Sequence, residues 1–178
     1  MSVSEVVGGF SGSGQLELNG VVITPNDHER DVVRRWREAD ATFSVVEQPL
    51  GQPVDSAILA AQRFLTVVLA DIWSLNEAAQ RAGVDKNVAK AAIQASRETL
   101  ALAHDLGNYV KHGPLTWDGL TDGRPTLGPP QAKTGSVGTS TTFSQSAFLE
   151  GDEFSAVDVA RQALGEWESL LRGWALLS

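Results

Sequence analysis

The segment from Val54 to about Ala82 most constrains the fold. It runs nearly thirty residues without proline or glycine and reads as one long helix. Ala57, Leu59, Ala60, Phe64, Leu65, Val67, Val68, Leu69, Ile72, Trp73 and Leu75 make it apolar on more than one side. A helix with a wide apolar circumference sits among other elements rather than on one core. Gly83 is placed to cap its C-terminus. Asp85 is placed to cap a third helix, from about Lys86 to Val110, that ends at His112-Gly113-Pro114. The short link between these two helices implies an antiparallel pair.

The remaining segments fit around that pair. Residues 1–14 are rich in Gly and Ser, lack periodicity and read as a flexible tail. Residues 15–24 hold two short β-type runs around Asn19-Gly20, the favoured centre of a hairpin turn. Thr24, Pro25 and Asp27 open a first helix with Val32, Val33, Trp36 and Ala39 at helical spacing. Its pattern weakens after Asp40, and Pro49 to Pro53 form a break. Residues 113–151 form an insertion of different character, with Pro114, Pro125, Pro129 and Pro130 followed by a Ser/Thr-rich run. Within it Val137 to Leu149 reads as an edge strand or hairpin. Ser155 to Asp158 is a capping box that opens the last helix, whose stripe is Val159, Ala163, Leu164, Trp167, Leu170, Leu171 and Trp174. Trp36, Trp73, Trp167 and Trp174 fall on apolar faces and are expected in the core. The expected architecture is a mainly α four-helix bundle spanning 15–178 as one domain, with a small N-terminal hairpin and a β-type insertion before the last helix.

Composition narrows the chemistry. The chain has 178 residues, a formal net charge of −8 and no cysteine. Disulfides, thiolate metal sites and cysteine nucleophiles are excluded. A surface this acidic does not coat nucleic acid broadly, so any RNA site would be a local cationic patch. The first residues lack the basic start and apolar stretch of a signal peptide, no uninterrupted apolar run reaches membrane-spanning length, and a cytoplasmic location with no membrane partner is expected. His104 and His112 are two turns apart, too far for an i, i+4 metal pair, so no metal and no cofactor is expected. The glycine-rich stretches lack the Gly-Lys-Ser/Thr ending of a phosphate loop, and no Gly-x-Ser-x-Gly elbow is present.

The third helix carries the chemical lead. At about 100° per residue from His104, Arg97 and Lys111 lie within about 20°, Asn108 at about 40° and His112 at about 80°. Ile93 and Leu100 interrupt that polar face, while Val88, Ala92, Ala95, Leu102, Leu106 and Val110 lie roughly opposite as a core stripe. Two histidines can exchange protons near neutral pH, and Arg97 with Lys111 can hold a phosphate. Those are the groups that metal-free RNA cleavage uses: a base for the 2′-hydroxyl, an acid for the leaving oxygen, and cations for the charged phosphorane. Structural readings stand beside this. Arg97 and His104 also suit a solvated face, and Lys111 and His112 suit a helix C-terminus. Asp105 reads as a partner of Lys111 or a local hydrogen-bonder. Asn108, unfavourable inside a helix, is expected to bond backbone of the 113–120 loop or a neighbouring helix. Trp117, beside Asp118-Gly119, is the candidate binding aromatic of the insertion.

Arg97-Glu-Thr-Leu-Ala-Leu-Ala-His104 resembles the Arg-x4–6-His motif of HEPN proteins. The run Asp105-Leu106-Gly107-Asn108-Tyr109-Val110-Lys111-His112 is similar to the Asp-Leu-x-Asn-x-x-Lys-His signature of HEPN-like small bacterial proteins. The resemblance implies a helical bundle over roughly 26–177 and a place in toxin–antitoxin or phage-defence systems. It leaves two functions open: a subunit that binds protein or nucleic acid, or a metal-independent endoribonuclease. In the second, Arg97 is the phosphate clamp and His104 the general acid or base. The resemblance also implies a homodimer, as do Ile93, Leu100 and the broad apolar surface of the second helix, whose pairing would bury exposed apolar area.

Overall fold

A computed structural model of the chain describes residues 16–18, 21–23, 27–50, 54–113, 119–121, 123–134 and 140–177, with side chains described from residue 29 onward. The tail 1–14, the Asn19-Gly20 turn and Trp117 lie outside the described residues. The fold is mainly helical. The order is β1 (Leu16–Leu18), β2 (Val21–Ile23), α1 (Asp27–Val46), α2 (Val54–Arg81), α3 (Lys86–Ala95), a π-helical turn (Arg97–Ala101), α4 (Leu102–His112), β3 (Thr126–Thr134), β4 (Thr141–Leu149), β5 (Asp152–Ser155) and α5 (Ala156–Gly173). β1 and β2 pair antiparallel, with Leu16 opposite Ile23.

α2 occupies the position its composition demands. It packs against α1 on one side and α4 on the other, and buries Leu65, Val68, Leu69, Ile72, Leu75 and Ala79. An 18-residue window of α2 has a mean hydropathy of 1.5, so by length and composition it is apolar enough to cross a membrane; a third of that window is buried inside the fold. α1 extends six residues past Asp40, because Phe43 and Val46 continue the stripe begun by Val32 and Ala39. Of the three expected N-caps, Asp85 and Ser155 form, and Thr24 lies outside the described residues. Asp85 accepts the backbone N–H of Asn87 and Val88, and the Ser155 hydroxyl accepts that of Asp158. Gly83 ends α2 with φ at 102°, a left-handed conformation that suits glycine.

The expected single helix from 86 to 110 is two helices. Ser96 leaves helical geometry, with φ −111° and ψ 72°, and the next five residues wind as a π-helical turn. One extra residue per turn shifts the phase of everything downstream. Ile93 and Leu100, expected to interrupt a polar surface, are fully buried, while Val88 and Ala95, expected in the core stripe, are exposed. From Leu100 to Gly107 every residue is buried, so the start of α4 is enclosed on all sides.

The insertion forms a three-stranded antiparallel sheet of order β3-β4-β5 rather than one hairpin. β4 is its central strand and not an edge. Phe143, Gln145, Ala147 and Leu149 alternate inward. β3 contains Pro129 and Pro130, at a break in register between Leu127 and Pro130. The Leu50 amide donates to Thr141 O at 2.7 Å, which ties the α1–α2 link to β4.

Candidate functional site

The site begins with the approach of α4 to α2. Gly107 lies so close to α2 that a Cβ there would fall 2.1 Å from Leu69 O and 2.8 Å from Trp73 Cβ. This contact brings the last two turns of α4 alongside Trp73. Lys111 Nζ stands 3.8 Å from the centroid of the Trp73 ring. His112 meets the same indole edge-on at 5.2 Å between centroids, and His104 lies at 6.4 Å. Lys111 and His112 are exposed, while His104 is only 8% exposed. Trp73, expected in the core, is the half-buried hub on which three of the candidate side chains converge.

Asp105 fixes the inner wall. It is fully buried and uses both oxygens. Oδ1 accepts the Leu120 amide at 3.0 Å and lies 3.1 Å from His104 Nδ1. Oδ2 accepts the Thr121 amide at 2.7 Å and the Thr121 hydroxyl at 2.6 Å. With its proton on Nδ1 the imidazole donates to this carboxylate, which sets the tautomer and the ring plane. Asp105 therefore pins residues 119–121 beneath α4, the task expected of Asn108, and does not pair with Lys111. The Asn108 side chain makes no hydrogen bond among the described residues. The burial of the whole run from Leu100 to Gly107 obliges this carboxylate to find donors.

Arg97 does not join this group. It opens the π-helical turn, and its Nη2 donates to Glu150 Oε2 at 2.5 Å, on the turn between β4 and β5. The next helical position but one, Thr99, donates its hydroxyl to Glu166 Oε1 on α5 at 2.6 Å. The chain bends these side chains toward the sheet and α5, while His104, Lys111 and His112 face Trp73 on α2. The expected co-facial set thus separates into two.

One carboxylate near the hub has a shifted titration. Burial raises the Asp71 pKa above its ordinary value of 3.8; the charges of Arg35 and Lys111 oppose this, and Glu38 adds to it. Among the described residues no group of three or more His, Asp or Glu is placed to hold a metal ion. A separate groove of about 480 Å³ runs along α1, lined by Val33, Arg34, Arg37, Ala41 and Leu176, and contains none of the candidate residues. In comparisons with known proteins, no family model, no curated protein and no solved structure matches the chain.

Proposed function

We propose that this chain is a HEPN-like four-helix domain acting as a protein- or nucleic-acid-binding subunit of a cytoplasmic prokaryotic defence or toxin–antitoxin system. The supporting observation is the separation of Arg97 from the His104 group. A ribonuclease built on this pair needs both at one phosphate. Here the guanidinium is held by Glu150, and the imidazole is enclosed and bonded to Asp105, whose oxygens are already occupied by loop donors. What α4 offers a partner is the exposed end of the cluster: Lys111, His112, the Asn108 amide and one side of Trp73. A net charge of −8 favours a protein partner over RNA at this small cationic spot.

The test is to incubate the purified chain with RNA in EDTA. RNA is expected to remain intact, with wild type indistinguishable from Arg97→Ala and His104→Ala. Cleavage that survives chelation and disappears in both variants would replace the binding reading with the endoribonuclease.

A further inference from the structure

The link between α2 and α3 is built as a fixed corner. Gly83 takes its left-handed φ, and the Gly83 and Val84 amides donate back to Gln80 O and Ala79 O at 3.1 Å each, the pairing that closes a helix C-terminus. Asp85 then accepts the amides of Asn87 at 2.8 Å and Val88 at 3.1 Å and so starts α3. Ala78 and Ala79 of α2 are buried, and α3 itself buries only Ala89 and Ile93. α3 is therefore anchored along a narrow line, and most of its ten residues are exposed.

The exposed side of α3 is polar and cationic. At about 100° per residue, Lys86, Lys90, Gln94 and Asn87 fall in that order within an arc of about 100°, with Ala91 about 40° beyond. All five are exposed, and none of the four polar side chains has a hydrogen bond or ion pair among the described residues. Between Asp85 and Glu98 the chain carries Lys86, Lys90 and Arg97 and no carboxylate, in a protein of net charge −8. Arg97 is held by Glu150, which leaves the two lysines as the cations of this face.

We propose that the end of α2, the corner at Gly83 and α3 form a helix-turn-helix unit in which α3 reads duplex DNA. Such a unit joins two helices through a glycine-containing turn of about three or four residues, and its second helix enters the major groove. The major groove of B-DNA is roughly 12 Å wide and admits a helix. The side chains fit what it displays. The Asn87 and Gln94 amides match the paired donor and acceptor of adenine, and Ala91 leaves room for a thymine methyl. Lys86 and Lys90, at one margin of the arc, reach phosphates. Asp85 fixes the Asn87 backbone, so that amide starts from a set position. Duplex RNA is a poor fit, because its major groove is too deep and narrow for side chains to read. An apolar protein surface would leave the four polar side chains without partners. The acidic remainder of the chain repels phosphate, which confines contact to α3 and makes it sensitive to salt. None of these residues belongs to the Trp73 cluster, so this reading is independent of what α4 binds.

The experiment is a selection by the full chain from a pool of short DNA duplexes with a random centre, at about 50 mM salt. The bound fraction is sequenced, and affinities for the selected duplex are measured by fluorescence anisotropy. Enrichment of one motif of about four base pairs is expected. Asn87→Ala and Gln94→Ala are each expected to weaken binding to the selected duplex about tenfold and to relax the preference at one position. Lys86→Ala and Lys90→Ala are expected to weaken all duplexes alike and to lower the salt slope by about one each. Lys133→Ala, on β3, is expected to bind as wild type. Far-ultraviolet circular dichroism checks that each variant keeps its helix content. A chain that enriches no sequence overturns the proposal. So does binding that all four α3 variants leave unchanged, since the contact is then elsewhere. Retention of an RNA hairpin pool without retention of duplex DNA would also overturn it and assign α3 to RNA.

Discussion

The α-carbon of Gly107 sits against the backbone carbonyl of Leu69, leaving no room between α4 and α2 for even one methyl group. A Cβ there would lie 2.1 Å from that oxygen. Elsewhere in a helix, Gly→Ala gains about 1 kcal/mol of propensity. Here the obstacle is main chain, which cannot rotate aside. Gly107→Ala is expected to cost about 1–3 kcal/mol, as over-packing of a tight contact does. Urea denaturation followed by circular dichroism measures it; a neutral or stabilising result would mean the helices do not approach this closely.

Asp105 should be the most sensitive polar residue in the chain. Its removal leaves the Leu120 and Thr121 amides without acceptors beneath α4. Asp105→Ala is expected to cost ~3–5 kcal/mol, in the range for breaking a buried charged network, and Thr121→Val about 1–2 kcal/mol. Amide hydrogen exchange at Leu120 and Thr121 should accelerate in both variants while α5 stays protected. Equal exchange with wild type would show that another contact holds the loop.

Asn108 behaves oppositely. Its amide makes no hydrogen bond among the described residues, so Asn108→Ala removes no bond and gains about 0.5 kcal/mol of helix propensity. The melting temperature is expected to hold or rise slightly. A loss of binding without a loss of stability would identify Asn108 as part of the surface a partner touches, and a fall in stability would show that the amide is used internally.

Asp71 should make the protein less stable as pH rises through its titration. Its folded pKa is raised by burial, chiefly, against an unfolded value of 3.8. Below that value both states hold the proton and no difference arises. Through the interval up to the folded pKa the native state binds more protons than the unfolded, so stability falls with increasing pH. Asp71→Asn should therefore match wild type near about pH 3 and be the more stable protein near about pH 7. Melting curves at the two values decide it; an Asn variant less stable at the higher pH would mean that the charge of Asp71 is favourable beside Arg35 and Lys111.

Features that depend on a few neighbouring residues were legible in the sequence. Asp85 and Ser155 cap helices because their side chains reach amides two or three residues on, and Gly83 stops α2 for an equally local reason. The extent of α1 is underestimated by the apolar pattern, which weakens after Asp40 although Phe43 and Val46 keep the spacing from Ala39 and are buried. The π-helical turn was not legible. Nothing in Arg97 to Ala101 differs in composition from an α-helix, yet a projection at fixed angle carried across Ser96 misassigns Ile93, Leu100, Val88 and Ala95. The site suffered the same error, so Arg97 appeared beside His104. The grouping of His104, Lys111 and His112 survived because all three lie beyond the break, on one unbroken helix. Trp73 and Thr121 were hidden for a different reason: their roles come from other segments packing against them, and a helical pattern does not say which flank receives which neighbour.

The two prolines of β3 have a consequence for how this protein behaves when crowded. β3 is one of the sheet's two edges, and an edge strand offers unpaired amides on which another chain can build. Pro129 and Pro130 have no amide hydrogen to offer, and the register already breaks beside them. The opposite edge, β5, is four residues long and passes directly into α5. A strand adding to the β3 edge therefore meets a gap in the hydrogen-bond ladder at the proline pair, and the β5 edge is too short to make up for it.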